Sequence, residues 1–173
     1  MITLAPLRRA VRGTLRALPA ILFDFDGVFT DNSVVVSETG AESVRCSRAD
    51  GIGLSSLRKT GVTVGIVSSE VNEVVQRRAD KLGVPCRHGC ESKESAAREL
   101  LAGTGVRLED IGFVGNDVND LPIMRRVAVP IAVSDAHPLV RKVAVITLRQ
   151  PGGYGAVREI CDLIVAARDS AAR

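Results

Sequence analysis

The sequence predicts an α/β domain, a parallel sheet flanked by helices and carrying one small hairpin. Three observations lead there. Ile21, Leu22 and Phe23 form an apolar run with no polar alternation, the mark of a strand covered on both faces. Strand-like and helix-like stretches then alternate with short loops, which calls for right-handed crossovers and parallel strands. The composition is 46% hydrophobic but only 3% aromatic, so the core must be built from Val, Leu, Ile and Ala, unlike that of an aromatic-rich sandwich. At 173 residues the chain reads as one domain, 1–173, too short for two ordinary ones.

Within an N-terminal stretch 1–19, Pro6 to Leu18 spaces apolar and Arg positions as an amphipathic helix that Pro19 stops. It has no apolar segment of the length a targeting peptide needs. The strand Ile21 to Phe23 follows and ends in Asp24 and Asp26 before a Gly27 turn. Val34-Val35-Val36 and Ser43-Val44-Arg45 flank Glu38-Thr39-Gly40-Ala41, which reads as a hairpin over Ser33 to Cys46. It is too small to be a domain, so the segment 33–47 is expected to stand near the strand end as a flap. Gly51 to Thr60 has helical spacing and stops at Gly61. Val62 to Val67 is a second buried strand, ending in Ser68-Ser69-Glu70 ahead of a helix from Val71 to Leu82. A short strand at Val84 to Arg87 leads to a helix at Ser92 to Ala102. Strand Ile111 to Val114 leads through Gly115-Asn116-Asp117 to a helix near Leu121 to Arg126. Val129 to Val133 and Val143 to Thr147 are further strands, with a helical turn at His137 to Lys142 between them. The C-terminal part, 150–173, has a Gln150 to Gly153 loop and a helix from Tyr154 to Ala167.

The net charge of +3 disappears once it is located. Residues 1–19 hold Arg8, Arg9, Arg12 and Arg16 and no acid, leaving 19 basic against 20 acidic residues in the rest. A nucleic-acid partner is therefore not indicated. No apolar run approaches membrane-spanning length. Cys46, Cys86, Cys90 and Cys161 show no zinc spacing, even with His88 between two of them, and read as free thiols of a reducing cytoplasm.

Chemistry gathers at the strand ends. Asp24 and Asp26, one residue apart, point to the same side where the strand leaves the core, and a bound cation is the simplest way to keep both ionised. In a parallel sheet the ends carrying Asp24/Asp26, Ser68/Ser69 and Asn116/Asp117/Asp120 lie along one edge. Lys93, at a helix start, is within reach of the same crevice. Carboxylates, a hydroxyl, a lysine and an acidic loop together suit Mg²⁺ and a phosphate.

The run Asp24 to Asp31, Asp-Phe-Asp-Gly-Val-Phe-Thr-Asp, resembles the first motif of the haloacid dehalogenase superfamily of phosphatases. Ser68, Lys93 and Gly115 to Asp120 match its second, third and fourth motifs in order. Three further runs, beginning at Ser47, Ser68 and Pro151, look like a narrower group. That group comprises the 3-deoxy-D-manno-octulosonate 8-phosphate phosphatases and the related domains attached to acylneuraminate cytidylyltransferases. The resemblance implies a Rossmann-like fold with a hairpin flap and no large cap domain. It implies Asp24 as nucleophile, Asp26 as acid/base, and Ser68, Ser69 and Lys93 as phosphate holders. Mg²⁺ would be held by Asp24, Asp26 and the loop of Asn116, Asp117 and Asp120. Thr30, Asp31, Arg45, Arg48 and Arg158 would face an acidic sugar phosphate, in a homotetramer whose neighbouring subunit completes each site. One departure is visible: Asn116 stands where the phosphatases usually carry a second acid, a feature familiar in the cytidylyltransferase-attached domains. A non-catalytic assembly role beside a sugar-nucleotide enzyme is the alternative reading.

Overall fold

The computed structural model describes residues 9–169. The sheet has six parallel strands: β1 (Ala20–Phe23), β4 (Thr63–Val67), β5 (Cys86–Arg87), β6 (Gly112–Gly115), β7 (Val129–Ala132) and β8 (Ile146–Thr147). Their spatial order is β5-β4-β1-β6-β7-β8, so the chain winds outward from β1 on one side and returns to build the other. The carboxyl ends of β1, β4 and β6 therefore meet where the winding reverses, the place in such a sheet where a crevice opens. In β1 every residue is buried, and Leu22 lies between Gly65 and Phe113 in the parallel register. Phe23, Phe25 and Phe29 form a small aromatic cluster behind the first strand end, at centroid distances of 5.7 and 5.8 Å.

Seven helices are present among the described residues: α1 (Arg9–Ala17), α2 (Arg48–Arg58), α3 (Val74–Leu82), α4 (Lys93–Leu101), α5 (Leu121–Met124), α6 (Pro138–Val143) and α7 (Ala156–Asp169). The expected elements are all found, with displaced ends. The first helix is described from Arg9, and the start expected for it at Pro6 lies outside the described residues. Helix α2 begins three residues before the expected Gly51, because the Ser47 side chain accepts from the Ala49 N–H and caps it there. Helix α3 begins three residues late, because Asn72 Oδ1 accepts from the Val74 N–H and holds residues 70–73 in a turn. The expected Leu121 helix is a single short one led in by a 3₁₀ turn, Val118–Asp120. The hairpin is present as β2 (Val35–Val36) against antiparallel β3 (Glu42–Ser43), with no larger cap among the described residues. No described helix is long and apolar enough to cross a membrane.

The Pro151 to Gly155 loop is more than a turn before a helix. It packs on the backbone of the first strand end, where the Gly153 N–H donates to the Val28 carbonyl at 3.1 Å. A Cβ on Gly152 would lie 2.0 Å from the Gly27 carbonyl oxygen and 2.9 Å from that of Thr30. Both obstacles are backbone and cannot swing aside. Gly152→Ala is expected to lower unfolding free energy by about 2–4 kcal/mol and to reduce turnover, measured by denaturant titration and phosphate release.

Candidate active site

Asp24 leaves β1 with its N–H donating to the Val114 carbonyl at 2.9 Å, so the ladder fixes its backbone before the side chain enters the crevice. Lys93, at the first position of α4, extends back under the sheet edge. Its Nζ lies 2.7 Å from Asp24 Oδ1 and 2.6 Å from Asp120 Oδ1. A cation is unfavourable at a helix N-terminus, and the two carboxylates outweigh that preference. All three side chains are almost completely buried. Burial, then the Asp120 charge, push the Asp24 carboxyl up to about 7 against the pull of Lys93. Burial works against the charge on Lys93, but Asp24 and Asp120 hold the ammonium above its ordinary range.

The Gly27 turn sets Asp26 beside Asp24. Gly27 has φ +71°, and a Cβ there would fall 1.9 Å from the Asn116 side-chain amide, so the turn and the fourth-motif loop interlock only with glycine. The Thr30 hydroxyl donates to Asp26 Oδ1 at 3.4 Å while accepting from the Gly27 and Asn32 N–H groups. Thr30 is wholly buried and supports Asp26 from behind. Burial, and next the Glu70 charge, raise the Asp26 carboxyl above its ordinary range, opposed by the Thr30 hydrogen bond.

Ser68 follows β4, and its Oγ accepts from the Glu70 N–H at 3.1 Å. The adjacent helix, expected to begin at Val71 and offer its N-terminus here, begins only at Val74. Ser69 Oγ accepts from Asn119 at 3.3 Å, tying the loop after β4 to the loop after β6. Asp120 Oδ2 accepts from the Asn116 N–H at 2.8 Å and the Asp117 N–H at 3.2 Å. With Oδ1 on Lys93, its carboxylate is fully engaged inside the protein, as a brace for the loop.

Asp24, Asp26, Ser68, Ser69, Asn116 and Asp117 line one cavity of about 460 Å³, roofed by the flap through Val34, Glu42 and Val44. Lys93 and Asp120 stand behind its floor. Thr30, Asp31, Arg45, Arg48 and Arg158 are not in its lining. Arg45 lies 2.6 Å from Asp31 and 4.5 Å above the Tyr154 ring, clasping the flap to the C-terminal loop. Arg158 pairs with Asp162 at 2.6 Å on α7, and Arg48 is exposed. Sequence reasoning passed over Glu42, Glu70, Asn72 and Asn119, which also line the cavity. The Asx turn at Asn72 was the available signal for one of them.

The donor set suits a hard cation. Asp24, Asp26, Asn116 and Asp117 offer only oxygen from side chains around one opening, and two crowded acids with a single buried lysine leave negative charge uncompensated. Among the described residues no three His, Cys, Asp or Glu side chains form a ready metal cage. Position 116 is an amide, and Asp120 is turned toward Lys93.

A further acid, Asp50, is buried completely at the first turn of α2. Its Oδ1 accepts from the Arg158 N–H at 3.3 Å, and Oδ2 has no hydrogen-bond partner among the described residues. Burial pushes its carboxyl from 3.8 to about 6. The folded state thus holds this proton more tightly than the unfolded chain, and stability falls as pH rises from 3.8 toward 6. Asp50→Asn escapes that loss. Its unfolding free energy is expected to exceed that of the wild type by about 1–3 kcal/mol at pH 8, the gap closing near pH 4, as read from melting curves across pH.

A parallel sheet whose switch point holds an aspartate pair, a buried lysine and a hydroxyl loop is the architecture of a phosphate-handling hydrolase. A family profile described as haloacid dehalogenase-like hydrolase matches residues 88–154. The chain belongs to the haloacid dehalogenase-like hydrolases, as one of that family's phosphatases. It is 35% identical over 150 residues to the 3-deoxy-D-manno-octulosonate 8-phosphate phosphatase of Yersinia pestis, covering 86% of this chain and 80% of that protein. Among solved structures it is similar to that enzyme from Moraxella catarrhalis in complex with a magnesium ion, a phosphate ion and a KDO molecule. The TM-score is 0.88, with 28% identity and 93% of each chain covered. The crystal structure of the Yersinia pestis enzyme gives a TM-score of 0.89 at 33% identity, covering 93% of this chain and 88% of that one.

Proposed function

We propose that this chain is a Mg²⁺-dependent phosphatase that removes the terminal phosphate of an acidic sugar, of the 3-deoxy-octulosonate 8-phosphate or nonulosonate 9-phosphate type. The observation that carries the reading is the buried Asp24–Lys93–Asp120 bridge at the floor of the flap-roofed cavity. Asp24 attacks phosphorus and forms an aspartyl-phosphate as the bond from phosphorus to the sugar oxygen breaks. Asp26, held by the Thr30 hydroxyl and raised above its ordinary range by burial, gives a proton to that leaving oxygen. It then takes a proton from the water that attacks phosphorus, releasing inorganic phosphate and restoring Asp24. Ser68, Ser69 and Lys93 orient the phosphate and offset its charge. Asp24, the Asp26 backbone carbonyl, Asn116 and Asp117 would hold Mg²⁺, which supplies screening between the nucleophile and the phosphate.

The carboxylate of the sugar needs a cation, and among the described residues of one chain none lines the cavity. Arg45, Arg48 and Arg158 stand outside it, which favours a homotetramer in which a neighbouring subunit delivers such a group. The apolar flap supports this, with Val34, Val35 and Val36 exposed at 52%, 69% and 58%. A cytoplasmic setting goes with the reading, the four cysteines being free thiols. The test is a phosphate-release screen over sugar phosphates with and without Mg²⁺, with Asp24→Asn as the control. No wild-type turnover above that control sinks the enzyme reading.

A further inference from the structure

We infer that Asn72 is a positioning residue that latches the flap to the phosphate-binding loop, so that the closed flap and the Ser68 loop act as one wall. The inference deepens the phosphatase reading and rests on it for the substrate. A hairpin of two-residue strands is marginal by itself and needs an outside tie to hold one position. At its base Arg45 supplies one, to Asp31 and Tyr154. Nearer the turn, Asn72 supplies another. Its Nδ2 donates to Glu42 Oε2 on β3 at 2.8 Å. The Asn72 N–H donates to Glu70 Oε1 at 2.8 Å, and the Glu70 N–H donates to Ser68 Oγ at 3.1 Å. A continuous chain of hydrogen bonds thus runs from the flap to a phosphate-holding hydroxyl. Every member of it lines the same cavity.

The flap and the Ser68 loop line one cavity, so a long sugar phosphate seated at Ser68 has more atoms to meet the flap than a phosphate carrying one or two carbons. The latch therefore sets discrimination by substrate length, acting through the flap and leaving the reacting atoms alone.

The two polar ends of the Asn72 side chain do different jobs, which makes the test clean. Oδ1 accepts from the Val74 N–H at 3.0 Å and starts α3, whereas Nδ2 makes the latch. Asn72→Asp keeps the acceptor for Val74 and sets a second carboxylate against Glu42. Amide deuterium exchange across residues 34–44 is expected to quicken in this variant without substrate present. The kcat/KM for a long ulosonate phosphate is expected to fall roughly three- to tenfold, mostly through KM, the range for one exposed charge-assisted hydrogen bond. Turnover of acetyl phosphate should change less than about twofold. The double variant Glu42→Gln/Asn72→Asp rebuilds the bond with donor and acceptor exchanged, and should recover both flap exchange and long-substrate turnover. Unchanged flap exchange in Asn72→Asp, equal loss on both substrates, or no recovery in the double variant each overturns the latch. Exchange is read on the free protein, so a failed latch is told apart from a failed phosphatase reading.

Discussion

Asp24→Asn is expected to lower phosphate release at least roughly a thousandfold while leaving the protein as stable as the wild type or more so. The first half follows from position: this carboxylate stands at the cavity floor, oriented by Lys93 at 2.7 Å, and an amide is no nucleophile toward phosphorus. The second half follows from electrostatics. Asp24 is nearly fully buried beside Asp120, and its carboxyl is pushed from 3.8 to about 7. Folding without a cation therefore favours its protonated form, and stability declines as pH rises from 3.8 toward 7. An amide imitates the protonated carboxyl and avoids that decline. Thermal melts in metal-free buffer at pH 8 should place Asp24→Asn at or above the wild type. Added Mg²⁺ should raise the wild-type melting temperature and leave the variant nearly unmoved. If the variant melted far lower as well as losing turnover, Asp24 would be a structural residue and the nucleophile assignment would fail.

The contrast between Asp24 and Asp120 shows what sequence could reveal. The doublet Asp24/Asp26 after an apolar strand is legible because each residue's direction follows from strand geometry, and a parallel sheet gathers such ends on one edge. The parallel sheet and the hairpin follow from patterning of the same local kind, whereas the strand order around β1 was seen only in the structure. Asp120 carries no such signature. As a bare acid near a helix start it fits a metal ligand or a dipole partner equally well, and its brace role depends on Lys93 arriving from a different helix. Asp50 escaped for a similar reason: a charged residue between Ala49 and Gly51 looks solvated until α7 is packed across it. The starts of α2 at Arg48 and α3 at Val74 go with side-chain hydrogen bonds to Ser47 and Asn72, and apolar periodicity alone placed each start three residues away. Gly152 is the extreme case, since its meaning is a backbone contact with Gly27, 125 positions earlier in the chain.

Lys93→Met is expected to be the most destabilising single change at this site, costing about 3–5 kcal/mol. Methionine has nearly the length and volume of the lysine stem, so packing is largely kept. What disappears is the one cation between Asp24 and Asp120, both buried and both within 2.7 Å of Nζ. Two carboxylates left facing each other without water cannot both stay ionised. The penalty should therefore shrink as pH falls toward 4 and Asp24, whose carboxyl burial already pushes up to about 7, takes up a proton. Turnover should fall more than about a hundredfold, because the phosphate also loses its neutralising partner. Pairing the change with Asp120→Asn separates the two roles. That double variant removes one of the stranded charges and should recover part of the lost stability in a denaturant titration, an interaction far from additive. It should recover no activity, since the phosphate still meets no ammonium group. Additive losses would mean that Lys93 does not bridge the two acids in solution, and the floor of the site would have to be redrawn.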